Sequence, residues 1–301
     1  MERRQGSQDV LLDVLSKSPF KKPFGAFFFL RDSEVTFGGR TSEFGGATSE
    51  RSPENVAYFH YFLYYFIVFM KGDIFHILNR GVEKRKIFIT EEDYLRFSYN
   101  LRDFNNKNNI VFSYSNRIKA SSMPFGGATS ESSVKPEERL VNILCCCLMP
   151  NHFHLLVQEN LDKGASKFAQ KITGGYTMHF NLKNDRSGVL FQGRSKIISI
   201  TKDAHFVYLP YYIFSNPVEL IEPGWKEKGI KDLNGVNKFL ENYKYSNFSD
   251  IVGKNKFLFI INKDLFYNFF NIGKKSFQEN FTQWLKNYHY GGGDWFDKFE
   301  S

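Results

Sequence analysis

Apolar and polar positions change rhythm several times along the chain, and the changes mark out elements. Residues 73–80 (DIFHILNR) alternate as a half-buried strand does. Thr90 followed by Asp93 is a helix-opening pair, and Tyr94, Phe97, Leu101 and Phe104 then recur at helical spacing, which predicts one apolar face. A second strand starts at 110–113 (IVFS) and is interrupted by a polar stretch over 114–138. Residues 140–148 (LVNILCCCL) read as a buried strand, Met149-Pro150-Asn151 as a turn, and 153–158 (FHLLVQ) as the next strand. A helix is expected over 162–182, weakened by Gly174-Gly175, then a strand or hairpin arm within 189–200. Another helix is expected over 201–214, closed by Asn216-Pro217 and kinked or broken at Pro210. Two or three short helices follow, with Leu240, Leu265, Phe269, Phe277 and Leu285 as core positions.

This order, with short loops between neighbouring strands, predicts an α+β fold. Its core is a ferredoxin-like (RRM-like) antiparallel sheet with helices on one face, and a small C-terminal helical extension follows. The expected organisation is a poorly structured segment over 1–69, a main domain over 70–222 with an inserted loop at 114–138, and the extension over 223–301. Residues 1–55 carry no sustained apolar period. The apolar run 56–69 covers 14 residues, too few for a membrane span, which needs about 20. No membrane partner is expected.

One heptapeptide occurs three times, as FGGRTSE at 37–43 and FGGATSE at 44–50 and 125–131. As protein it is a polar loop. As DNA it can be written TTC-GGA-GGT-GCG-ACC-TCC-GAA, whose outer arms are reverse complements. Read from the opposite strand, the central alanine codon becomes arginine. The two peptides are therefore what one palindrome encodes in its two orientations. Inverted arms are expected in the gene at 37–50 and 125–131, and codons that do not pair there would dismiss the idea. If they pair, residues 1–69 are translated upstream DNA, the functional protein begins near Met70, and 114–138 is an element inserted in a tolerant loop.

Lys and Arg outnumber Asp and Glu by 40 to 32, for a net charge of +8, which suits a polyanionic partner without naming one. The three consecutive cysteines, Cys145, Cys146 and Cys147, alternate faces of a strand and form no disulfide framework. They fit a buried strand in a reducing compartment. The central chemical signal is 149–157 (MPNHFHLLV). On a strand, His152 and His154 share one face while Phe153 points to the other, so the two imidazoles form a chelating pair. His60, His76, His179, His205 and His289 have no such spacing and read as structural or exposed.

Four blocks in order, NRG at 79–81, MPNHFHLLV at 149–157, LFQGR at 190–194 and YIFSNPV at 212–218, resemble the single-tyrosine HUH transposases of small insertion sequences. Within these the chain is most similar to the REP-associated tyrosine transposases. The resemblance covers about residues 70–250, less the insert. It implies that His152, His154 and Asn216 bind a divalent metal, Mg²⁺ or Mn²⁺, and that Tyr212 is the nucleophile. It also implies a reaction that cleaves and rejoins single-stranded hairpin DNA through a 5′-phosphotyrosine. Tyr212 and Asn216 are one helical turn apart and can face one metal. Tyr208 and Tyr211 compete as neighbours of Tyr212, and Tyr176 reads as structural or DNA-facing. Arg80, Lys84, Arg85, Lys86, Arg194 and Lys196 are candidate phosphate contacts, Arg194 foremost. The resemblance implies a nucleoid-associated protein of a prokaryotic cytoplasm. It leaves open a homodimer with exchanged tyrosine helices, a rolling-circle or relaxase-type nuclease, and a decayed or domesticated DNA-binding protein.

Overall fold

The computed structural model describes residues 73–108, 136–253 and 263–288, all within one unit of the chain, 57–288. The expectations for 1–69, for a strand at 110–113 and for nearly all of the insert at 114–138 lie outside the described residues.

Four strands form one sheet: β1 (Ile74–Arg80), β2 (Val141–Met149), β3 (His152–Glu159) and β4 (Lys196–Ser199). Their order is β2-β3-β1-β4 and every pair is antiparallel. Helix α1 (Glu91–Asp103) links β1 to β2, and α2 (Gly164–Lys183) links β3 to β4. This is the expected ferredoxin-like arrangement. The Asp93 carboxylate opens α1 by accepting from the backbone N–H groups of Ile89 and Thr90, at 2.8 and 2.9 Å.

Strand alternation decides which side chains enter the core. Ile77, Phe153, Leu155, Val157, Cys146 and Leu148 point to one face, where Phe97 and Leu101 of α1 and Phe168, Ile172 and Tyr176 of α2 cover them. Helix α2 runs unbroken through Gly174-Gly175. Gly175 lets the two helices pack closely, because a Cβ there would meet the ring of Phe104 and force it to move. Tyr176 is fully buried and its hydroxyl donates to the Ile87 carbonyl at 2.5 Å, so of its two expected roles the structural one holds.

Helices on one face describes α1 and α2 only. The opposite face is met by α3 (Asp203–Ser215), which packs on β2 and β3. Among the described residues, α3 is followed by a 3-10 turn (Asn216–Leu220) and five helices, more than the two or three expected. They are α4 (Trp225–Lys228), α5 (Leu233–Asn242), α6 (Phe248–Ile251), α7 (Lys263–Phe270) and α8 (Lys274–Lys286). Leu240, Phe269, Phe277 and Leu285 are buried as expected. Leu265 is only half-buried, because the apolar stripe of α7 runs through Phe266, Phe269 and Phe270 at i, i+3, i+4 and leaves Leu265 off its line. Helix α3 also continues through Pro210, against expectation. Its remaining contacts hold it on both flanks: Tyr211 lies 5.4 Å from the Phe277 ring and Phe214 lies 5.5 Å from that of Phe248.

Residues 243–247 run along the outer edge of β2. Leu148 N–H donates to Tyr245 O at 2.8 Å, and Asn247 N–H to Cys146 O at 3.1 Å. The buried Asn247 side chain accepts from Cys146 N–H and donates to Leu144 O, at 2.5 and 3.2 Å. No helix among the described residues is long and apolar enough to cross a membrane.

Candidate active site

The second face of the sheet carries the polar residues. Arg80 lies opposite His152 in the β1–β3 ladder, and Leu78 opposite His154. Directly opposed residues share a face, so His76, Arg80, His152 and His154 project from the same side. On β2, Met149 opposes His152 and Cys147 opposes His154. The His152 and His154 ring centroids are 5.0 Å apart, as strand alternation requires of neighbours on one face.

Each imidazole is held by a different partner. His152 Nδ1 lies 2.6 Å from Asn151 Oδ1, and the Asn216 amide also hydrogen-bonds the His152 ring. His154 Nδ1 lies 2.9 Å from His76 Nε2, with the two ring planes 18° apart. Burial depresses all three histidines. It takes His76 to about 3 and, joined by the Arg80 charge, takes His152 to about 4. It holds His154 well below the usual range, with His152, His76 and Lys226 adding to the effect.

These neutral imidazoles set an acid dependence. Their folded pKa values lie below the unfolded value of 6.5, so the unfolded chain binds protons first as pH falls. The stability they confer is present above pH 6.5 and is lost on descent towards their folded values. Metal-free protein should lose about 2 kcal/mol between pH 6.5 and 5 for each fully buried imidazole, a window above most carboxylate titration. Urea midpoints across that range check this, and a flat profile would contradict it.

Helix α3 brings Tyr212 against the pair. Its ring stands edge-on to His154 at 5.5 Å and to His76 at 6.3 Å. Tyr212 is buried, and burial raises its phenol above the ordinary tyrosine range while the Arg80 charge opposes the rise. The other tyrosines go elsewhere: Tyr208 meets Trp284 at 5.2 Å, and Tyr211 meets Phe277 and Phe281 of α8. Asn216 ends α3 by donating Nδ2–H to the Tyr212 carbonyl at 2.8 Å, and Pro217 then stops the helix. With its nitrogen so engaged, the amide oxygen is left as the acceptor.

Two residues at the site escaped sequence reasoning. His76 had no partner at helical or strand spacing, because its partner is 78 residues away and is reached only through strand pairing. Lys226, on α4, places its ammonium 5.3 Å over the Tyr212 ring, and burial lowers its pKa. No local motif marks it. The cysteines are buried, and burial raises all three thiols above their ordinary range. His179 and His205 lie away from the pair: His179 faces Tyr176 and His205 stands in the first turn of α3.

The candidate phosphate contacts frame the end of the sheet where β1 stops and β3 starts. The loop at 190–195 is fastened there by Val82 N–H to Leu190 O and Gln192 N–H to Arg80 O, both 2.9 Å, and by Asn79 Nδ2–H to Gly193 O at 3.1 Å. The turn at 81–86 is fastened by Gly81 N–H to Asn151 O at 2.8 Å. Gly81 is needed for that approach, since a Cβ would strike the Arg85 carbonyl. The matched blocks NRG, MPNHFH and LFQGR therefore converge in space. Arg194, Lys196, Lys84, Arg85 and Lys86 are exposed, and Arg80 is half-buried beside His152. Arg85 lies 3.6 Å from Glu83 in an exposed pair.

Among the described residues no three His, Cys, Asp or Glu side chains are grouped as a metal site. A cation here would be held by the two imidazoles and the Asn216 amide.

No family model matches the chain, and no curated protein does. A solved structure of a REP-associated tyrosine transposase bound to a REP hairpin is similar to it, at 18% identity over 62% of this chain and 82% of that one, with a TM-score of 0.36. At that degree of overlap the chemistry rests on this chain's own residues.

Proposed function

We propose that the protein is a metal-dependent single-strand DNA nuclease and transposase that cleaves and rejoins hairpin DNA through Tyr212. The observation that carries this is the edge-on contact of the Tyr212 ring with buried His154, from an element 58 residues downstream. It joins the parts that the motif resemblance assigns to one reaction.

The donor set fits a divalent cation. His152 and His154 are held neutral by burial, as ligands must be, and Asn216 offers an amide oxygen. Bound there, Mg²⁺ or Mn²⁺ would polarise the scissile phosphate and offset charge developing on its oxygens.

The Tyr212 oxygen attacks the phosphorus. A phenolic O–P bond forms and the P–O3′ bond breaks, leaving a 5′-phosphotyrosine and a 3′-hydroxyl. The phenolic proton leaves to solvent, and the departing 3′-oxygen takes up a proton. Attack by a 3′-hydroxyl on the phosphotyrosine reverses the step and joins strands without ATP. Arg80, beside Tyr212, favours the phenolate. The exposed cations Arg194, Lys196, Lys84 and Arg85 hold flanking phosphates, so binding weakens steeply with salt.

The test uses the full chain, Mn²⁺ and a single-stranded hairpin with arms TTCGGAGGT and ACCTCCGAA, resolved on a denaturing gel. A protein–DNA adduct that EDTA suppresses and that His152→Ala and His154→Ala lack supports the reading. Salt-dependent binding with no cleavage overturns it in favour of a decayed DNA-binding protein.

A further inference from the structure

Both histidines of the pair have their Nδ1 atoms occupied. His152 Nδ1 meets Asn151 Oδ1 at 2.6 Å, and His154 Nδ1 meets His76 Nε2 at 2.9 Å. The first partner is the adjacent residue. The second comes from β1, where His76 is fully buried and lies edge to edge with His154, ring centroids 5.1 Å apart and planes 18° apart.

Sequence spacing gave His76 no role. The register explains how it acquires one: His76 opposes Leu156, so it sits diagonally across the ladder from His154 on the same face.

We infer that His76 is a positioning residue for the metal site, accepting a hydrogen bond from His154 Nδ1–H and so leaving the His154 Nε2 lone pair for the cation. The inference rests on the metal-dependent reading above.

A contact between two imidazole nitrogens needs one N–H and one lone pair. Were His76 Nε2 the donor, the His154 proton would sit on Nε2 and block coordination. The reverse direction gives His154 the tautomer a ligand needs and places the His76 proton on its own Nδ1. The hydrogen bond, made with the two ring planes only 18° apart, also fixes the plane of His154, as outer partners of metal-bound imidazoles do. Asn151 does the same for His152 through its amide oxygen, which can only accept. The two ligands are thus set by two acceptors, one beside them in sequence and one from a different strand.

The experiment titrates Mn²⁺ into the metal-free full-length protein and follows free Mn²⁺ by electron paramagnetic resonance. His76→Phe keeps a ring of similar size and removes the acceptor. It should weaken Mn²⁺ binding about 10–100-fold, the usual effect of losing such a partner. His76→Gln restores an accepting oxygen and should recover most of the affinity, which a purely space-filling role would not produce. His152→Ala is the control for the site itself. Binding by the wild-type chain that His152→Ala abolishes and His76→Phe leaves intact overturns the role of His76 while the metal reading stands. A wild-type chain that binds no Mn²⁺ overturns both. Should His76→Phe fail to fold, long-range ¹H–¹⁵N spectra of the wild-type imidazoles with Mg²⁺ bound decide the matter. Protons on Nδ1 of both His76 and His154 support the inference, and a proton on His154 Nε2 overturns it.

Discussion

Replacing Tyr212 by Phe is expected to abolish the covalent protein–DNA adduct while leaving hairpin binding within about twofold of wild type. In the proposed reaction the hydroxyl is the reacting group, so its loss would remove the covalent route outright. The ring remains, and with it the edge-on contact to His154 and the packing of α3 on β2 and β3. Stability should shift by no more than about 1 kcal/mol, the scale of one hydrogen bond. Tyr208→Phe and Tyr211→Phe are the controls. Their rings lie against Trp284 and Phe277, and both variants should retain the adduct. An adduct that survives in Tyr212→Phe and vanishes in Tyr208→Phe would move the nucleophile one turn back along α3.

The second large effect is expected at Lys226. Its ammonium stands 5.3 Å over the Tyr212 ring, and its charge reaches both His152 and His154. Burial holds the Tyr212 phenol in its protonated form. In the proposed reaction the phenolate therefore forms in a place that disfavours its charge, and cations beside it would offset that cost. Lys226→Met keeps the aliphatic stem and deletes the charge. The rate of adduct formation should fall on the order of 10²-fold, comparable to removing one preorganised donor at a developing anion. Lys226→Arg should recover much of it. Spectrophotometric titration gives a second readout: without Lys226 the Tyr212 phenol should ionise at a higher pH. A normal rate in Lys226→Met would leave Arg80 as the cation that matters.

Alternation and helical spacing carried much of this arrangement. Alternation located β1, a nearly unbroken apolar run located β2, the turn at 149–151 set off β3, and the period of two put His152 and His154 on one face. The i, i+4 relation of Tyr212 and Asn216 anticipated that one turn of α3 would serve the site. It also grouped Tyr208 with Tyr212, which the structure separates. Helical phase says which residues share a face and not which neighbour that face meets. Tyr208 is met by α8 and Tyr212 by the sheet. His76 was invisible for a related reason, since pairing between strands 78 residues apart leaves no local trace. Lys226 lies on a four-residue helix with no periodicity to read. Pro210 misled because a helix flanked by aromatic packing tolerates what an isolated helix does not.

The strip of chain at 243–247 has a practical corollary. It carries none of the recognisable blocks, yet it occupies the hydrogen-bonding groups along the rim of β2. A gene trimmed to the main domain, ending near residue 222, would yield a polypeptide that keeps the histidine pair, Tyr212 and Asn216, loses Lys226, and has a bare β-rim, ready to pair with the next copy. Such a truncate would come out as aggregate, and its inactivity would say nothing about catalysis. The plainest part of the sequence thus covers a rim that the motif-bearing part would otherwise leave open.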